Sequence, residues 1–127
     1  MKDYIFIPGN VPSSKNNKVW TGKFLVWSKN AQKYKKETKE YWEENKEVFK
    51  KLIKNKKTPL IIGFHLVRKS KHKYDFVNPV QTLQDLMVLY EYLEDDNTTI
   101  MFPVPLEIDG SYDSYDKENP GVFIKIL

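Results

Sequence analysis

Apolar and polar residues change their period several times along the chain, and each change marks an element. "DYIFIPG" is a short β-rich run ended by Pro8 and Gly9, which predicts a strand over residues 3–8. The turn-forming loop "NVPSSKNN" follows, and then "KVWTGKFLVW", two β-prone runs around Thr21 and Gly22 that read as a hairpin. From Ser28, a good N-cap, the period lengthens. Tyr34, Thr38, Tyr41, Asn45, Val48 and Leu52 recur at alternating steps of four and three, predicting a helix over 29–55 with one stripe toward a core. "LIIGFHLVR" is almost continuously apolar, as a central strand is, and runs into the basic stretch "RKSKHK".

Asn78-Pro79 then supplies an N-cap and a pre-set first helical residue, with Gln81 placed to reach back as in a capping box. This helix is predicted to end near Leu93. At 100° per residue, Pro79, Leu83, Leu86, Met87, Tyr90 and Leu93 form one stripe, and Gln81, Asp85, Val88, Leu89 and Tyr92 a second. That leaves Val80, Gln84 and Glu91 for a narrow solvent face and predicts cover on two sides, the second from a loop or another subunit. "TIMFPVPLEI", broken by two prolines, suits an edge strand; "DGSYDSYDKENPG" reads as a long acidic loop; "VFIKIL" closes the chain as a strand. The order describes an α+β domain in which two main helices pack on one face of a mixed sheet.

Composition narrows the classes. A chain of 127 residues with 40% apolar and 30% charged residues is expected to form one soluble domain, residues 1–127, with one core. The absence of cysteine excludes disulfides, thiolate zinc sites and cysteine nucleophiles, and agrees with a cytoplasmic location. The N-terminal segment is too short and charged for a signal peptide, and no apolar run reaches the roughly 20 residues of a membrane span. The net charge of +4 is unevenly spread: residues 1–73 balance to +13 and residues 74–127 to −9. A basic half suits a phosphate backbone, and a solvated lysine-rich surface accounts for it equally well. Arg68 is the only arginine among 21 basic residues, which argues for reading of backbone and shape over bidentate reading of bases.

The chemistry-bearing residues gather around the second helix. Asp75 precedes it and Asp95-Asp96 follow it. A helix of about 15 residues is roughly 22 Å long, so these acidic points meet only if the chain folds back, and helical geometry leaves open whether they are ordinary element ends or parts of a metal site. Gln81 and Asp85 lie one turn apart and share a face with Asn78.

In this order and spacing, Asp75, Asn78, Asp85, Met87 and Asp95-Asp96 resemble the D-x-D-N-x-x-K motif, helical Asp and closing Asp-Asp of the RusA family of Holliday junction resolvases. "VPSSKNNKVW" resembles that family's Pro-Pro-Ser-x-Asn loop, and the likeness runs nearly the whole length of the chain. Two positions depart from the pattern: Val77 stands where the family has its second aspartate and Gln81 where it has a lysine. The resemblance implies a homodimeric endonuclease that cuts four-way DNA junctions with Mg²⁺, or Mn²⁺ in its place. It implies that Asp75 and Asp96 are catalytic metal ligands, that Asp95 or Asp85 replaces the missing carboxylate, and that Asn78 and Gln81 support the site. Lys69, Lys71 and Lys73 offer replacement cationic charge, and Arg68 belongs to the same DNA-facing stretch.

Ser13, Ser14, Lys15, Asn16, Asn17 and Lys18 form a second candidate DNA contact, a polar loop that otherwise reads as a turn. Trp20, Trp27 and Trp42 are expected in the core or at an interface. His65 and His72 lack the spacing of a zinc pair, and the acidic loop lacks that of an EF-hand. A catalytically silent branched-DNA-binding protein of the same fold, and a small interaction protein whose lysines only solubilise it, are the alternatives.

Overall fold

Two strands occupy the middle of a mixed sheet because their alternate residues are apolar on both faces. The computed structural model describes residues 3–13, 18–20 and 25–127, with the backbone alone at 18–20 and 25–26. In it β7 (Gly121–Ile126) pairs antiparallel with β1 (Tyr4–Pro8) on one side and with β4 (Leu60–Arg68) on the other. The far edge of β4 is shared by two strands parallel to it: β5 (Met101–Pro105) against residues 60–64 and β6 (Asp113–Tyr115) against 66–68. Pro103 and Pro105 lack an N–H and lie on this edge, as expected. β2 (Lys18–Trp20) and β3 (Leu25–Trp27) form the predicted antiparallel hairpin, whose turn lies outside the described residues.

β6 corrects the reading of the acidic segment as a loop throughout. Its three residues are exposed, but the strand is fastened from outside: the Ser114 hydroxyl bonds His65 Nε2 at 2.6 Å, and Asp113 accepts from the Tyr74 hydroxyl at 2.7 Å. Neither contact leaves a local pattern in the sequence. His65 is buried, and its Nδ1 faces the Leu106 carbonyl at 2.9 Å. A carbonyl can only accept, so Nδ1 carries the proton and, in the neutral ring, Nε2 accepts from Ser114.

α1 (Lys29–Ile53) starts where the sequence places it, with the Ser28 side chain accepting from the Ala31 N–H at 3.2 Å. Its buried stripe is Ala31, Tyr34, Thr38, Trp42 and Phe49. The predicted stripe holds for Tyr34 and Thr38 and then slips by one residue: Tyr41 and Val48 are 39% and 37% exposed, while Trp42 and Phe49 are fully buried. Both sets have helical spacing, and the larger apolar surfaces of Trp42 and Phe49 decide which faces inward.

α2 (Val77–Leu89) departs further. It begins at Val77, one residue before the predicted cap: the Asn78 N–H bonds the Asp75 carbonyl at 3.0 Å, and no side chain caps the helix. Pro79, Val80, Thr82, Leu83, Gln84, Leu86 and Met87 are buried. Val80 and Gln84, predicted to face solvent, are therefore inside, and the Gln84 amide donates to the Met101 sulfur at 3.0 Å. Of the predicted second face, Tyr92 is buried and Asp85 and Val88 are half-buried, while Gln81 and Leu89 are exposed, with Val77 69% exposed beside them.

Alternate residues of the sheet, among them Ile5, Ile62, Phe64, Val122 and Ile124, share one core with Trp42 and Phe49 of α1 and Leu83, Leu86 and Met87 of α2. Both helices thus pack on one sheet face, giving the expected α+β architecture. On the opposite face the Tyr4, Phe6 and His65 rings gather around Phe123. No helix among the described residues is long and apolar enough to cross a membrane.

Candidate functional site

The end of α2 decides what meets its side chains. Glu91 takes a left-handed conformation, with φ of 62°. The Glu91 N–H bonds the Val88 carbonyl at 3.1 Å, and the Tyr92 N–H bonds the Met87 carbonyl at 2.7 Å. This is a Schellman arrangement built on a residue other than glycine. It stops the helix at Leu89, four residues before the predicted end, and reverses the chain. Tyr92 and Leu93 drop into the core, and the Tyr92 hydroxyl donates to the Trp42 carbonyl.

The reversal brings Asp96 back to α2. The Gln81 side-chain nitrogen donates to Asp85 Oδ1 at 2.9 Å and to Asp96 Oδ2 at 3.1 Å. Two carboxylates from separate elements are held on one nitrogen, and the amide uses both its protons to keep them there. Asp95 serves this turn differently. Its Oδ1 accepts from the Asp96 N–H and its Oδ2 from the Asn97 side chain, each at 2.8 Å. The backbone bond first, then the Asn97 bond, holds the Asp95 carboxyl below its ordinary value.

Asp75 lines a shallow cleft of about 580 Å³ with Lys71, His72, Lys73, Tyr74 and Asp113, a lining that does not include Gln81, Asp85 or Asp96. Among the described residues, no group of three or more His, Asp or Glu side chains is arranged to hold a metal ion. Of the carboxylates that the family resemblance implied as metal ligands, Asp85 and Asp96 form one pair on the Gln81 amide, and no group of three is seen among the described residues. Asn78 takes part through its backbone at the start of α2.

The predicted basic strand end is built into the same region. Arg68 stacks on the Tyr74 ring at 4.3 Å and donates to the Val11 carbonyl at 3.4 Å, while its Nε is buried without a partner among the described residues. Burial first, then the Asp113 bond, raises the Tyr74 hydroxyl above its ordinary value, so it remains a donor at neutral pH. The Lys69 N–H bonds Asn10 Oδ1 at 3.1 Å, and Lys71 lies over the Tyr115 ring at 5.1 Å. The Thr82 hydroxyl of α2 bonds the Pro12 carbonyl at 2.9 Å. The loop that begins the "VPSSKNN" stretch is thereby fastened between the end of β4 and α2. Ser14, Lys15, Asn16 and Asn17 lie outside the described residues, as does the Lys18 side chain.

Ser13 and Lys69 border a second cleft of about 440 Å³, together with Asn10, Asn30, Lys33 and Tyr34. Tyr34 is 4% exposed, and its hydroxyl is buried without a partner among the described residues. Leaving such a group unpaired costs about 1–3 kcal/mol. Tyr34 and Lys33 escaped the sequence reading because helical period marks a tyrosine as core and a lysine as solvated. Gln81 was legible as a site position, but its role as the bridge between two carboxylates was not.

No protein-family model matches the chain, and no curated protein matches it in sequence.

Proposed function

We propose that the chain is a magnesium-dependent, structure-selective endonuclease that acts on four-way DNA junctions as a homodimer in the cytoplasm. The observation that carries this reading is the convergence of Asp85 and Asp96 on the Gln81 amide. The donor set fits the ion: both partners are hard carboxylate oxygens, and Mg²⁺ takes one or two from a protein and completes its shell with water and substrate phosphate. Asp85 and Asp96 would hold it, with Mn²⁺ accepted in its place. When bound it would supply a water of lowered pKa and neutralise charge on the scissile phosphate.

The chain's own residues do the rest. Gln81 keeps the two carboxylates gathered before the ion arrives and must turn its amide aside to admit it. Asp95 orients Asp96 by accepting its N–H. Lys71 and Lys73 beside Asp75 offer charge for the strand's phosphates, and Lys69 and Ser13 extend that track to the 10–13 loop. The open face of α2, with Val77 and Leu89 exposed, offers apolar surface to a second copy.

A second reading, a catalytically silent protein that binds branched DNA, draws support from the same amide. Gln81 fills the space between the carboxylates, and the described residues offer no third acidic group. Incubation with a labelled four-way junction separates the readings. Cleavage with Mg²⁺ and none with EDTA is expected for the endonuclease, with Asp96→Asn lowering the rate by at least about 100-fold while junction affinity is retained. Salt-sensitive binding without cleavage favours the second reading, and absence of binding removes both.

A further inference from the structure

We propose that the cleft between the 10–13 loop and the first turns of α1 binds a single nucleotide unit, its phosphate at the lysines and its base toward Tyr34. The cleft shares no lining residue with the Gln81, Asp85 and Asp96 cluster. This inference therefore stands without a metal and without cleavage.

The hydroxyl of Tyr34 is the leading observation. It is a buried donor and acceptor on a residue that lines the cleft, and the described residues leave it unpaired. Gly9, with φ of 112°, faces the Tyr34 ring: a Cβ placed on it would meet Tyr34 Cε1 at an ordinary contact distance of 3.4 Å. From the other side Thr38 bonds the Tyr34 carbonyl at 2.7 Å and accepts from Trp42 Nε1 at 3.2 Å, which fixes the turn of helix beneath. Burial raises the Tyr34 hydroxyl above its ordinary value, so it stays protonated and able to donate.

The rest of the lining indicates the ligand. Lys33 of α1 and Lys69, just after β4, supply the charge a phosphate needs; Glu37, which also lines the cleft and pairs with Lys33 at 3.9 Å, limits the excess. Asn30 contributes an amide with a donor and an acceptor side, the pattern that matches a base edge, and Asn10, whose Oδ1 accepts from the Lys69 N–H, adds a side-chain donor. Pro12 and Pro120 add apolar walls suited to a planar ring. A volume of about 440 Å³ exceeds what inorganic phosphate fills and falls in the range of small-molecule sites.

A free mononucleotide and a nucleotide turned out of a DNA strand present this same chemistry, and the test separates them. Calorimetric titration of the full chain with 2′-deoxynucleoside 5′-monophosphates is expected to saturate, with affinity at least about tenfold above that for inorganic phosphate or for deoxynucleosides. Tyr34→Phe keeps the packing and removes the hydroxyl; about a tenfold loss is expected, with an unchanged or raised melting temperature. Lys33→Gln with Lys69→Gln should cost a similar factor and flatten the salt dependence. The Asp96→Asn chain should bind mononucleotides as the unsubstituted chain does, whatever the junction assay shows. An oligonucleotide carrying 2-aminopurine identifies the source: emission that rises with the unsubstituted chain but not with Tyr34→Phe assigns the site to a strand nucleotide, and mononucleotide binding without that rise assigns it to the free form. Monophosphates that bind no better than phosphate, or a Tyr34→Phe chain that binds them unchanged, would overturn the proposal.

Discussion

The two helices are held in opposite ways. α1 carries its own instructions: Ser28 caps its first turn, Lys33–Glu37 and Lys39–Glu43 pair along its outer face, and Lys50 and Lys51 sit in its last turn, where the helix dipole favours cations. α2 has no side-chain cap and no basic residue in its last turn. Its first turn opens on a local bond to the Asp75 carbonyl, and distant contacts fix the rest: Thr82 bonds the loop at Pro12, and the turn that ends the helix buries Tyr92 against Trp42. A helix with locally encoded ends can serve as a scaffold. One whose ends depend on distant contacts places its neighbours wherever those contacts hold, and here they hold Asp96 on Gln81.

This contrast is open to attack, beginning with the scaffold. Trp42→Ala removes a fully buried ring that packs on Tyr90 and Tyr92, and should cost about 3–5 kcal/mol by urea denaturation. Leu89→Ala on the open face of α2 should change stability by less than about 0.5 kcal/mol, although leucine is as apolar as its buried neighbours. Comparable losses at both positions would mean that the open face is covered.

The next test falls on the reversal. A β-branched residue tolerates a positive φ poorly, so Glu91→Val should cost about 1–3 kcal/mol and lower any junction cleavage by freeing Asp96 from Gln81. Glu91→Gly should keep the turn and any junction cleavage, since the Lys46 pairing it loses is an exposed contact of 3.5 Å. A valine variant that melts lower yet cleaves normally would separate the turn from the site. Ser28→Ala, at the encoded end, should cost about 1 kcal/mol and leave cleavage untouched.

The same contrast explains what the sequence disclosed. The strands at 4–8, 60–68 and 121–126 and the start of α1 were legible because β-rich apolar runs and capping are local signals. The stripe of α1 slipped because Tyr41 and Trp42 both fit a helical period, and only their competition for the core separates them. α2 was misplaced at both ends. Asn78-Pro79 has the form of a cap, but the Asp75 carbonyl starts the helix earlier, and nothing in Tyr90-Glu91-Tyr92 announces a left-handed residue without glycine. The polar residues at the site were identifiable by type and spacing. Their grouping was not, because Asp96 reaches Gln81 only through that unannounced turn.

The smallest expected effect concerns Asp95, which holds the returning segment at its tip. Its carboxyl is lowered from an ordinary value of 3.8 by the Asp96 N–H and the Asn97 amide. A carboxylate lowered on folding stabilises the native state above its unfolded value and loses that contribution as pH falls through the folded one. The contrast to measure is therefore the melting temperature of the unsubstituted chain minus that of Asp95→Ala. It should be positive at neutral pH, begin to shrink near pH 3.8 and approach zero below the lowered value. A difference that persists unchanged in acid would mean that the neutral carboxyl orders the turn as well as the charged one. Asp95 would then act as a spacer for Asp96, with no electrostatic part in holding it.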